Sequence, residues 1–120
     1  MAANNYATSL VKLERFEEAK SLLRRTLPIV RRVHGENDEA TLKMQSIYAT
    51  ALYRDPGATL DDLRESVTTL EDMARIARRV LGNAHPLTSQ IERDLKKSRA
   101  ALTARKVLQT SEELAAQLEI

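Results

Sequence analysis

The 120 residues carry 19 basic and 17 acidic side chains, a net charge of +2, and 42% hydrophobic residues. This supports one packed domain, excludes general disorder, and gives no global electrostatic case for nucleic-acid binding. Cysteine is absent, which excludes disulfides and thiolate chemistry, and no apolar run approaches the ~18 residues of a membrane span. The N-terminal Met-Ala-Ala-Asn-Asn lacks the basic-then-apolar layout of a signal peptide, so a soluble cytoplasmic protein is expected. With three glycines, three prolines and no alternation of β-branched residues, the chain reads as all-α.

In chain order, a first helix is predicted from about Asn4 to Leu13, with Tyr6, Ala7, Leu10 and Leu13 at helical spacing. Glu14-Arg15 makes a tight turn. A second helix from Phe16 to Val33 carries a broad stripe of Phe16, Ala19, Leu22, Leu23, Leu27, Val30 and Val33, with Lys20 and the arginines largely off it, and Gly35 ends it. Pro28 lies inside this helix; because the stripe continues in phase, a kink near Arg24–Leu27 is expected rather than a break. Asn37 or Asp38 caps a third helix over Glu39–Tyr53, which Asp55-Pro56-Gly57 terminates. Thr59 and Asp62 then cap a fourth helix, Leu60–Leu81, closed by Gly82. Pro86 opens a fifth helix, from about Leu87 to Val107, in which Ser98 and Arg99 stand where apolar residues are expected, as on a solvated end. Thr110 and Glu113 form a capping box for a short last helix, Ser111–Glu119, whose Leu114 and Leu118, with Ile120, are available to fold back.

The chain states one stretch twice. Val33-His34-Gly35 returns as Val80-Leu81-Gly82, offset by 47, each after a basic segment ending Arg31-Arg32 or Arg78-Arg79. In the second helix of each pair the offset holds: Phe16 answers to Leu63, Leu23 to Leu70, Leu27 to Ala74 and Val30 to Ala77. In the first helix the offset is 42, with Tyr6 answering to Tyr48, Ala7 to Ala49 and Leu10 to Leu52. The difference places extra residues in the turn Arg54–Thr59, which is expected to be a mobile surface feature. Internal repetition predicts stacking, because one helical repeat cannot bury its own apolar face.

Asn4-Asn5-Tyr6-Ala7, Phe16-Glu17-Glu18-Ala19, Leu22-Leu23-Arg24-Arg25 and Val33-His34-Gly35 together resemble the tetratricopeptide repeat (TPR) in its longer, kinesin light chain-like form of about 42 residues. Gly82-Asn83-Ala84-His85-Pro86 resembles that family's inter-repeat loop. Thr26 and Met73 depart from its usual alanine, as Ser66 does from the small residue matched by Ala19. The resemblance implies an α-solenoid of antiparallel helix pairs in a right-handed superhelix: repeat 1 over 4–35, repeat 2 over 39–82, and a third-repeat helix with a cap over 87–119. It also implies a scaffold or adaptor whose first helices line a concave groove for a peptide or protein.

Carried over position by position, the resemblance puts Asn4, Thr8, Val11 and Lys12 of the first helix in that groove. Lys43, Ser46, Thr50, Tyr53 and Arg54 follow from the third helix, and Gln90, Arg93 and Lys97 from the fifth. Five of these are basic, which favours an acidic ligand, with Asn4, Ser46 and Thr50 available to its backbone. The competing reading is an ordinary solvated helix face. The alternative functions are a homo-oligomer built on the open ends of a short array and, less favoured, a nucleic-acid contact through Arg93, Lys96, Lys97, Arg99, Arg105 and Lys106, a run without interleaved aromatics. The aromatics Tyr6, Phe16 and Tyr48 read as core.

No catalytic, cofactor or metal site is expected. His34 and His85 lack partners at ligand spacing, His85 reading better as a helix start. The pairs Glu17-Glu18, Asp61-Asp62 and Glu112-Glu113 sit in or near first turns, where the helix dipole favours acids.

Overall fold

The computed structural model describes residues 2–119 as five helices: α1 (Ala2–Lys12), α2 (Phe16–His34), α3 (Glu39–Arg54), α4 (Leu60–Val80) and α5 (Pro86–Leu118). Among the described residues there is no strand, and no helix is long and apolar enough to cross a membrane.

Local chemistry sets these boundaries. Asp38, not Asn37, caps α3, accepting from the Ala40 amide at 2.9 Å. Thr59 and Asp62 form the full reciprocal box at the start of α4, with bonds of 3.1 and 3.0 Å. His85 caps α5 through Nδ1, which accepts from the Leu87 amide at 3.0 Å, and Pro86 follows at the first helical position. Gly35 and Gly82 end α2 and α4 on either side of the repeat junctions with φ of 87° and 92°, a region that costs a residue with a Cβ. α2 runs unbroken through Pro28. Arg24, whose carbonyl loses its helical partner there, and Pro28 itself are both exposed, so water is at hand to satisfy that group.

The order of contacts identifies the architecture. α1 packs on α2 and α3, α2 on α3, α3 on α4 and α5, and α4 on α5, whereas among the described residues α1 and α2 make no backbone approach to α4 or α5. A closed four-helix bundle would bring α1 against α4; this chain stacks helix pairs instead, an all-α TPR-like array with α1, α3 and α5 in one layer and α2 and α4 in the other. Equivalent positions are buried equivalently in both pairs. Ala7 and Ala49 are fully buried, as are Leu23 with Leu70 and Ala19 with Ser66. The core is accordingly divided: one cluster joins α3, α4 and α5 around Leu42, Leu70 and Ile91, and two smaller ones join α1, α2 and α3 around Leu23 and Met44 and around Leu10 and Phe16.

Five expectations are corrected. Tyr6 is 56% exposed, not core: its counterpart Tyr48 lies under α2, with the Arg24 guanidinium 5.9 Å from its ring, while no described helix flanks Tyr6 in the same way. Leu13, Val33 and Val80 are exposed because they sit at or beyond helix ends, past the reach of the neighbouring helix. Ser98 is fully buried rather than solvated: its hydroxyl donates to Ser66 Oγ at 2.8 Å, and Ser66 in turn donates to the Ala49 carbonyl at 2.7 Å. The α3–α4 turn is held from two sides. Lys20 of α2 donates to Asp55 at 3.1 Å, Arg105 of α5 donates to the Ala58 carbonyl at 2.6 Å, and Ala58 is buried.

Finally, α5 does not break near Thr110. The Thr110 hydroxyl donates back to the Lys106 carbonyl at 3.0 Å, so no second capping helix starts there. Leu114 and Leu118 do not fold back but stay exposed, as do Val107 and Leu108, and Ile120 lies outside the described residues. The last third of α5 therefore adds no packing to the body. Truncation after Lys106, which keeps the Arg105 contact, is expected to change the unfolding free energy by less than about 0.5 kcal/mol in urea titration; a loss above ~2 kcal/mol would contradict the exposure seen here.

Candidate functional site

A groove of about 590 Å³ crosses the layer formed by α1, α3 and α5. α3 forms its middle: Lys43, Ser46, Ile47, Thr50, Tyr53 and Arg54 recur every three or four residues and so share one face. Thr8, Val11 and Lys12 approach from α1, and Leu87, Gln90, Asp94 and Lys97 from α5. Of the residues proposed from sequence, the structure thus brings together Thr8, Lys12, Lys43, Ser46, Thr50, Tyr53, Arg54 and Lys97, with Val11 and Gln90. Two do not join them. Asn4 is only 4% exposed and does not line the cavity. Arg93 points along its own helix, donating to Gln90 Oε1 at 3.0 Å, and does not line the cavity.

The hydroxyls expected to serve a peptide backbone are partly committed. Ser46 Oγ donates to the Lys43 carbonyl and Thr50 Oγ1 to the Ser46 carbonyl, both at 2.8 Å, which leaves them as acceptors only. The cations are not committed. Lys12, Lys43, Arg54 and Lys97 are exposed and form no ion pair among the described residues. Outside the groove the basic residues divide: Arg15, Arg64, Arg75, Arg78 and Arg99 pair with Glu18, Asp61, Asp72, Glu92 and Glu71, whereas Arg25, Arg32, Arg79 and Lys96 form no ion pair among the described residues.

Sequence reasoning missed Asp94, which stands inside the basic run of α5. Asp94 lies in the groove, 7% exposed, accepting from the Tyr53 hydroxyl at 3.3 Å and from the Gln90 amide at 3.3 and 3.2 Å. Burial first, and then the negative charge of Asp94, raise the Tyr53 phenol far above its ordinary value, so Tyr53 remains a neutral donor. The signal was present in the numbering: Asp94 stands four residues after Gln90, on the same helical face, and 47 after Ile47, another lining residue.

The basic run of α5 is not one surface. Lys97 lines the groove, Arg99 pairs with Glu71 of α4, Arg105 reaches the α3–α4 turn, and Arg93 is held by Gln90.

With this geometry in place, comparison with known proteins adds one finding. Residues 1–40 match the tetratricopeptide repeat family model. The match spans α1, α2 and the junction into α3, and supports a TPR-type repeat there. Such repeats generally mediate protein–protein interaction and are typically non-catalytic scaffold modules. No curated protein and no solved structure matches the chain.

Proposed function

We propose that this chain is a cytoplasmic, non-catalytic adaptor of the longer, kinesin light chain-like TPR form, holding an acidic peptide or acidic protein segment in the α1–α3–α5 groove. In this reading 4–35 and 39–82 are its repeats, and α5 supplies a third groove helix. The observation that carries the proposal is the convergence of four cations from three helices on one cavity. Lys12 of α1, Lys43 and Arg54 of α3 and Lys97 of α5 line one concavity, and none of them forms an ion pair among the described residues. Charge-assisted bonds to ligand carboxylates would satisfy them, and the attraction would fall with salt.

The test is Lys43→Glu with Lys97→Glu, read by fluorescence anisotropy of a labelled acidic dodecapeptide. The double variant should bind at least tenfold more weakly, while Arg93→Glu, outside the groove, should change affinity less than twofold. Unchanged affinity in the double variant would refute the reading.

A second reading, self-association, is favoured by one feature, the exposed apolar residues Val107, Leu108, Leu114 and Leu118 along α5. Light scattering over a concentration series tests it: a mass that rises with concentration in the full chain, and not after truncation at Lys106, would support it.

A further inference from the structure

The acidic-ligand reading leaves one groove residue without a use. Asp94 is the only acid lining the cavity among the described residues, and its charge opposes the ligand that the rim cations would attract. It is 7% exposed, yet no lysine, arginine or histidine lies within ion-pair distance of it among those residues. Its donors, the Tyr53 hydroxyl at 3.3 Å and the Gln90 amide at 3.3 and 3.2 Å, are both neutral. Those contacts are also longer than the ~2.5–2.9 Å of charge-assisted bonds. A carboxylate withdrawn from water without a counter-charge is costly, and a cation brought to it recovers that cost.

One other shielded carboxylate allows a comparison. Asp55, also shielded, has Lys20 at 3.1 Å. At Asp94 the cations of the same groove, Lys12, Lys43, Arg54 and Lys97, all stop short. A missing charge at the floor of an open cavity is one that an incoming molecule can supply.

Building on the groove reading above, we propose that the ligand is a mixed-charge peptide segment: acidic side chains meet the rim cations, and one lysine or arginine side chain seats on the Asp94 carboxylate. The rim sets a requirement for acid, and Asp94 sets a requirement for a single base within it. A purely acidic segment would leave Asp94 uncompensated and add like charge beside it. A purely basic one would be repelled by the rim.

The experiment is selection of displayed random dodecapeptides against the full chain and against Asp94→Asn, a near-isosteric change that keeps one acceptor oxygen for Tyr53 and Gln90. Wild type should enrich peptides rich in Asp and Glu with one interior Lys or Arg; Asp94→Asn should enrich acidic peptides without that base. A synthesised wild-type winner, compared by calorimetry with its Lys→Gln version, should lose about tenfold affinity for wild type and less than twofold for Asp94→Asn. The peptide-side change needs no protein variant, so the test survives any folding defect in Asp94→Asn. Acidic winners without an interior base, or an equal loss on both proteins, would overturn the role of Asp94 while leaving the acidic groove intact. Winners with no acidic enrichment would overturn the groove reading itself.

Discussion

Leu70→Ala should lower the unfolding free energy by about 3 kcal/mol, within the 2–5 kcal/mol range for a buried leucine, and reduce the melting temperature by roughly 10–15 °C. Leu70 is fully buried in the cluster that joins α3, α4 and α5, so deletion of its isobutyl group removes contacts from three helices at once. Leu23, its repeat equivalent, is equally buried, but among α1, α2 and α3. Stacked repeats are coupled mainly to their nearest neighbours. Leu23→Ala should therefore cost a similar amount locally yet act differently: α1 and α2 open first and lose hydrogen-exchange protection, while α3–α5 remain protected. Leu70→Ala, in the middle of the stack, should loosen all five helices together. Identical protection patterns in the two variants would argue for a single indivisible core.

The second large effect is at the α3–α4 turn. Asp55→Asn should destabilise the chain by about 2 kcal/mol at neutral pH, less than the 3–5 kcal/mol for a fully orphaned buried charge because Glu17 still holds Lys20 at 2.7 Å. The geometry is specific: the Lys20 side chain is 5% exposed, and Asp55 takes both its ammonium at 3.1 Å and the Gly57 amide at 2.9 Å. The amide of Gly57 and then Lys20 hold the Asp55 carboxyl below its ordinary value, against the opposing effect of burial. Burial pulls Lys20 down, but hydrogen bonds and charge from Glu17 and Asp55 outweigh it and leave it raised. For Asp55 the unfolded state binds the proton more readily, so its stabilisation is present above the unfolded value of ~3.9 and is lost as pH falls through the lower folded value. For Lys20 it is present below ~10.4 and lost only as pH rises through the higher folded value. Urea titrations should accordingly show a constant gap between wild type and Asp55→Asn from about pH 5 to 9, closing below about pH 4. A gap that persists at pH 2 would mean that Asp55 acts through shape and not through charge.

These two sites also mark what the sequence makes legible. Helix limits were readable because their determinants are local: Asp38, the Thr59–Asp62 box, His85-Pro86 and the glycines act within a few residues of where they stand. Much of the cavity lining was readable for a related reason, since transferring one helix face by the repeat offset carries Thr50, Tyr53, Arg54 and Lys97 to positions that do meet. What failed depended on contacts distant in the chain. Ser98 looks solvated until Ser66, 32 residues away, is seen to accept its hydrogen bond. Lys20 looks like a surface charge off the apolar stripe until Asp55, 35 residues on, comes to it. Periodicity also cannot say where a neighbouring helix ends. The apolar spacing of Val107, Leu114 and Leu118 is genuine, but no described helix packs beside them.

The hydroxyl chain from Ser98 through Ser66 to the Ala49 carbonyl has a consequence for the pitch of the stack. Apolar contacts have no preferred direction, so they fix the alignment of two helices through shape alone. Two short directional bonds of 2.8 and 2.7 Å admit a single alignment. They work as a detent that stops α5 from ratcheting along α4, and α4 along α3. Since Lys43 and Arg54 ride on α3 while Asp94 and Lys97 ride on α5, the same detent sets the spacing at which any bound chain must present its own charges.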